Sequence, residues 1–234
     1  MTKPRQSSVL PLSLLLASYT LTAVAGSQDY PEISDDGLHL VKESKMAVVY
    51  AEPGADLGVY KRIKLVAPEI AFKKNWERDL RSGSASKISR VNTKKIKSDL
   101  AEMFAAVFYD TLTEGGYELV AEDGEDVLLI RPSIINLDIT APEQHGTGRS
   151  NSYTRSAGEM TLYIELHDSE TGDLIAKALD RSIDNPNQQG FYTWANASTN
   201  QRAAERILKG WADLLLNALN EAKQSAPIAL PESE

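Results

Sequence analysis

The chain has 234 residues, 42% of them hydrophobic and 25% charged, which suits one globular domain with a substantial core. Its 33 acidic and 25 basic residues give a formal net charge of −8, and the short run KKIK at Lys94–Lys97 opens a helix and reads as a solvated face. Nucleic-acid binding needs the opposite sign in a concentrated patch, so it is not expected. There is no cysteine, which excludes disulfides, thiolate nucleophiles, cysteine-ligated zinc and iron–sulfur clusters.

The start reads as an export signal. Lys3 and Arg5 precede an apolar run from Val9 to Ala25, which ends in the small-x-small pattern Ala23-Val24-Ala25. Pro11, Ser13, Ser18, Thr20 and Thr22 make the run short and polar for a membrane anchor. Residues 1–25 are therefore expected to be a signal peptide cleaved between Ala25 and Gly26. No transmembrane helix follows, and the missing cysteine leaves no site for a lipid anchor. Cleavage removes two basic and no acidic residues, which takes the net charge to about −10. The expected address is the periplasm, with secretion or outer-membrane association as the alternatives.

Residues 26–45 are acidic and turn-rich and read as a flexible lead-in. A single domain is expected over 46–222. It opens with short β-prone runs, MAVVYA and then Val59–Phe72, the second interrupted by Pro68, which places it at an edge or a bulge. Leu80–Val91 reads as a Ser/Gly/Lys loop. Ile96, Leu100, Met103, Phe104, Val107 and Leu112 recur at helical spacing until Gly115-Gly116 stops the helix. Tyr117–Val120 and Val127–Ile139 read as strands. The second is apolar on both faces at VLLI, as a central strand is, and Pro132 marks a bulge within it. A long polar loop leads to a hairpin. A second helix follows, with Ala204, Ile207, Leu208, Trp211, Leu215 and Ala218 in one stripe, and Ser198 and Gln201 at capping-box spacing. Residues 223–234 read as a disordered tail. The fold class is thus α+β: a single two-layer sandwich, with a mainly antiparallel sheet of about five strands and two helices on one face.

The hairpin is the most site-like stretch, because Glu159, Glu165, Asp168, Glu170, Asp173 and His167 crowd into it. Met160, Leu162, Ile164 and Leu166 alternate with Glu159, Thr161, Tyr163, Glu165 and His167. Burying the four apolar side chains is worth roughly 6–12 kcal/mol as an upper bound, so the alternation already has a structural cause. Glu159 and Glu165 stand about 20 Å apart along a strand, whereas a glycosidase-type carboxylate pair needs about 5–10 Å. Asp168 to Asp173 resembles a calcium loop, but the twelfth position from Asp168 is Leu179, not an acid. Hairpin-turn chemistry, with Gly172 at positive φ, is the better reading. Glu165 falls opposite either Ala176 or Lys177, depending on register.

Other chemistry is sparse. His39, His145 and His167 have no metal-ligand spacing and read as surface residues. There is no GxSxG elbow, and GTG at 146–148 lacks the spacing of a phosphate loop. The sequon at Asn196 is a pattern only. Neither metal nor cofactor is expected. Two segments remain as contact surface: the long loop with Arg149, Tyr153 and Arg155, and the aromatic run Phe191, Tyr192 and Trp194 before the last helix.

The blocks YAEPGADLGVYKRIKLVAPEIAFKKNWERD (Tyr50–Asp79), DVLLIRPSIINLDITAP and AGEMTLYIELHDSETGDLIAKALDR resemble an uncharacterised exported bacterial family, the domain of unknown function 3313. The resemblance spans roughly Ser34 to Asn220. It implies export, often as a lipoprotein, and brings no activity or catalytic residues; the missing cysteine departs from the lipoprotein members. The expected function is a periplasmic binding or accessory protein of the cell envelope that contacts an unidentified envelope component. The alternatives are a hydrolase whose carboxylates converge in the fold, with Asp138, Glu143 and Glu159 as candidates, and a carrier of a small apolar ligand between sheet and helices.

Overall fold

The computed structural model describes residues 30–82, 93–139, 152–154, 158–183, 193–195 and 197–224. The chain divides into two units, Met1–Tyr30 and Pro31–Glu234, and the fold below belongs to the second. Its elements are β1 (His39–Leu40), β2 (Val48–Ala51), a 3₁₀ turn (Leu57–Val59), β3 (Arg62–Leu65), β4 (Glu69–Phe72), α1 (Trp76–Ser82) and α2 (Thr93–Glu114). After them come β5 (Glu118–Leu119), β6 (Val127–Ile139), β7 (Ser152–Thr154), β8 (Gly158–Asp168), β9 (Leu174–Ile183), β10 (Thr193–Ala195) and α3 (Ala197–Gln224).

The α+β class holds, but the architecture is larger than expected. Eight strands form one sheet, ordered β1-β2-β9-β8-β6-β3-β5, with β4 also beside β6; β7 and β10 form a separate pair. The sheet is mixed rather than mainly antiparallel, because β3 runs parallel to β5 and β6, and β4 runs parallel to β6. There are three helices among the described residues, not two. The extra one, α1, begins at Trp76 and runs into the segment read as a loop from Leu80.

The central strand is β6, and its long apolar sequence explains the order around it. Leu128, Ile130 and Ile134 are completely buried on the helix-facing side, while Val127 at 0% and Leu129 at 6% exposure are buried on the other. On β8, Met160, Leu162, Ile164 and Leu166 join that core, as the alternation requires. Helices α2 and α3 cover it with Phe104, Phe108, Leu112, Leu208, Trp211 and Leu215. Trp211 brings a polar atom into this layer. Its indole N–H donates to Asp180 Oδ2 at 2.7 Å, and Asp180 Oδ1 accepts the Ala47 amide at 3.0 Å.

Pro132 does not form the expected bulge. It stays in register opposite Ile164. Its missing N–H falls on the edge shared by β3 and β4, between the Leu65–Ile130 and Glu69–Ser133 pairs. The partner strand is broken there, at Val66–Pro68, so neither proline spoils a ladder. The bulge lies further on. Both neighbours of β6 shift register between Ile134 or Ile135 and Leu137 or Asp138, and Asn136 sits at φ +54°. One extra residue reverses the facing of the strand. Leu137 turns into the core, and Asp138 comes to lie beside Glu159 on the opposite face.

The acidic segment from Pro31 is packed, not a loose lead-in. Leu38 is buried in a small cluster with Val48 and Tyr50, and β1 pairs with β2. Alternating apolar residues are too few there for a sequence signal, and the packing comes from an existing sheet edge. α3 starts at Ala197, which puts Ser198 in the first turn rather than at the cap.

Two stability outcomes follow, each checked by urea unfolding. Asn136→Val is expected to destabilise the protein by about 1–3 kcal/mol, because a β-branched residue resists positive φ, whereas Asn136→Gly is tolerated. Asp180→Ala is expected to cost about 1–3 kcal/mol by leaving the buried Trp211 N–H unsatisfied.

Candidate functional site

The ends of β6, β8 and β9 meet where Ile139 pairs with Gly158 and Glu159 with Ile183. The N-terminal turn of α3 reaches the same place, since Asn200 and Ala203 line a small cavity with Leu137, Asp138, Gly158 and Glu159. This end of the molecule carries three features: a charged cluster, a short two-stranded sheet and a groove between helices.

The charged cluster follows from the bulge and the break. Beyond the break, β4 delivers Lys73, whose amide bonds Leu137 O at 3.0 Å. The Lys73 ammonium donates to Asp138 Oδ2 at 2.8 Å and lies 3.7 Å from Glu159 Oε1. Glu159 also accepts from Arg181. Trp76, stacked on Phe72 at 4.3 Å between centroids, donates its indole N–H to Ile139 O at 3.2 Å. Two carboxylates named as hydrolase candidates thus do converge, well inside the ~10 Å span of a carboxylate pair. Each already has a cation. The bond from Asp138 also raises the Lys73 ammonium above its ordinary range. Two acids neutralised by two bases make an ion network, with no proton donor or nucleophile set apart. The adjoining cavity measures about 40 Å³, room for water but not for an apolar cargo.

The two segments chosen as contact surface are joined in the backbone. β7 and β10 pair antiparallel with Trp194 opposite Tyr153. Arg149, Arg155, Phe191 and Tyr192 lie outside the described residues, as do Ala23, Ala25, Gly26, Glu143, His145 and Asn196.

The hairpin that looked most like a site is scaffold. The Asp168 carboxylate accepts from the amides of Glu170 at 2.9 Å and Thr171 at 2.8 Å, and from the Tyr60 hydroxyl at 2.9 Å, while Gly172 takes φ +78°. The Thr171 amide, with Tyr60 and Glu170, holds the Asp168 carboxyl below the usual range against the upward pull of desolvation. Burial and this carboxylate push the Tyr60 phenol well up.

The register places Glu165 opposite Lys177, but Lys177 pairs with Asp36 instead. Glu165 takes the Tyr163 hydroxyl at 2.6 Å and His167 Nε2 at 3.2 Å. Burial raises the Glu165 carboxyl, and these two bonds outweigh it, so the net direction is downward. His167 is not the surface residue expected. It is 8% exposed and its Nδ1 lies 3.1 Å from Gly172 O, so both ring nitrogens are engaged within the protein. Among the described residues no group of three His, Asp or Glu side chains is placed to hold a metal ion, and no helix is long and apolar enough to cross a membrane.

Sequence reasoning missed Lys73 and Arg181. Asparagine inside an apolar strand was the available signal for the bulge that brings Asp138 to Lys73, whereas Arg181 reaches Glu159 within the regular β8–β9 ladder.

No family model matches the chain, so the link to the domain of unknown function 3313 stays a resemblance of sequence blocks. Among curated proteins, a protein-glutamate methylesterase/protein-glutamine glutaminase of Haloarcula marismortui is 26% identical over 92 residues, covering 37% of this chain and 25% of that enzyme. The chain spans about a quarter of the length of the curated relative it matches. Solved structures similar to it include the PelC dodecamer of Paraburkholderia phytofirmans, at 12% identity and TM-score 0.33 over 69% of this chain and 96% of that one. A minor lipoprotein of Acinetobacter baumannii gives 9% identity and TM-score 0.34 over 73% and 99%. A Xanthomonas campestris protein of the domain of unknown function 330 gives 12% and 0.37 over 74% and 91%. With TM-scores below 0.5, these likenesses assign neither family nor activity.

The Asp168 turn gives a pH outcome. A depressed carboxyl adds stability above its unfolded value, near 4, and loses it as pH falls through the folded value. Asp168→Asn is therefore expected to be less stable than wild type at neutral pH, with the gap narrowing as pH falls below about 4, checked by urea midpoints across that range.

Proposed function

We propose that this chain is an exported, non-catalytic binding module of the bacterial cell envelope, acting from the periplasm. The observation that carries the reading is the β7–β10 pairing. Two segments chosen separately, one for an Arg/Tyr loop and one for an aromatic run, become a single unit with Trp194 opposite Tyr153. That unit leaves the main sheet at the end that also bears the helix groove. Aromatic and arginine side chains dominate binding hot spots, so this is the composition a partner surface needs. The address is supported by Lys3, Arg5 and the apolar run to Ala25. A hydrolytic reading has the Asp138–Glu159 convergence on its side, but Lys73 and Arg181 neutralise both acids.

The protein, tagged and cross-linked in envelope fractions, is expected to capture one reproducible partner identified by mass spectrometry. Tyr153→Ala with Trp194→Ala should lower its recovery by about tenfold or more with folding intact. Capture no better than a control bait, or capture indifferent to both substitutions, would contradict the proposal.

A further inference from the structure

The helices α2 and α3 pack tightly at one end and part at the other. Gly115 lies against Leu216, and Lys209 Nζ reaches Thr111 Oγ1 at 3.1 Å. Toward their N-termini they leave a groove of about 680 Å³. Ile96, Leu100, Met103 and Val107 of α2 line it opposite Ala204 of α3, with Leu137 and Ile139 at the sheet end. Its α2 wall runs from Lys95 to Asp110, about 22 Å at helical rise.

Two properties define what fits. Glu102, Ala106 and Asp110 are exposed along the length of the groove, so an occupant keeps a wet outer side. A small apolar ligand wants about 70–90% of its surface buried and is poorly served by such a site. An amphipathic helix of about fifteen residues matches both the length and the half-open section. The second property is charge. Among the described residues, Asp99, Glu102, Asp110 and Glu205 line the groove against one base, Lys95, and Lys95 is paired to Asp99 at 2.6 Å. Glu102, Asp110 and Glu205 are left as excess negative charge around an apolar floor. Met103 gives the wall an adaptable side chain.

We infer that this groove takes a basic amphipathic helix of a partner protein, its apolar face on Ile96, Leu100, Met103 and Val107 and its flanking Lys or Arg residues on Glu102, Asp110 and Glu205. This rests on the binding-module reading and names the partner chemistry of the same end of the molecule.

The test is fluorescence anisotropy of the purified protein with two labelled helical peptides of one apolar pattern, one leucine/lysine and one leucine/glutamate. The lysine peptide should bind at least about tenfold tighter than the glutamate peptide, and more weakly as salt rises. Ala106→Arg, which fills the groove with a cation, and Glu102→Lys with Asp110→Lys should each lower that affinity by about tenfold. All three positions are exposed, and circular dichroism checks that the variants fold. Equal binding of the two peptides, or binding unchanged in both variants, overturns the inference. So does a self-association, seen by sedimentation velocity, that Ala106→Arg abolishes, since the occupant is then a second copy. If the peptides fail while an envelope partner is still captured through Tyr153 and Trp194, this inference falls alone. If capture fails too, the reading beneath it falls as well.

Discussion

The middle of the sheet is registered on one strand that has neighbours on both edges and buried apolar residues on both faces. β6 pairs with β8 along one edge and with β3 and then β4 along the other. A proline in such a strand removes a ladder donor, and the molecule accommodates it by interrupting the partner rather than the strand. That interruption lets β4 start afresh beyond Pro68. The bulge at Asn136 then reverses the facing of the last residues of β6. Lys73 and Asp138 meet only because both events occur.

The consequence for function is a division of labour along the sheet. At one end the hairpin turn is closed by its own side chains, with Asp168 taking two amides and a tyrosine hydroxyl. Asp168 and Glu165 have partners, and the histidine is enclosed. At the other end β7, β10, the ion network and the helix groove gather where the strands stop. The network neutralises itself and holds β4, β6, β8 and β9 together. A rigid base of this kind positions the surface it carries.

Much of the scaffold was legible in the sequence. The alternation of Met160, Leu162, Ile164 and Leu166 against Thr161 and Tyr163 fixed the core face of β8, because burial of one face has period two. The apolar VLLI marked β6 as central, and Gly115-Gly116 marked the end of α2, where Gly116 takes φ +89°. What could not be read depends on pairing across the chain. Parallel contacts of β3 and β4 with β6 leave no local mark, so the sheet was read as too small and too antiparallel. Leu38 became core only because a sheet edge was there to receive it. The Arg/Tyr loop and the aromatic run were visible as composition, but the register that sets Trp194 against Tyr153 was not.

The central claim, that β6 with its proline and bulge organises the sheet, is tested most directly by native-state hydrogen exchange resolved to short peptides. The account predicts that amides of Leu128–Ile134 and Leu162–Leu166 exchange last and together, through global unfolding, while β1 and β2 exchange earlier. If β6 exchanged as early as β1 while α2 and α3 stayed protected, the sheet would not depend on that strand, and the explanation of how this end of the sheet is built would be wrong.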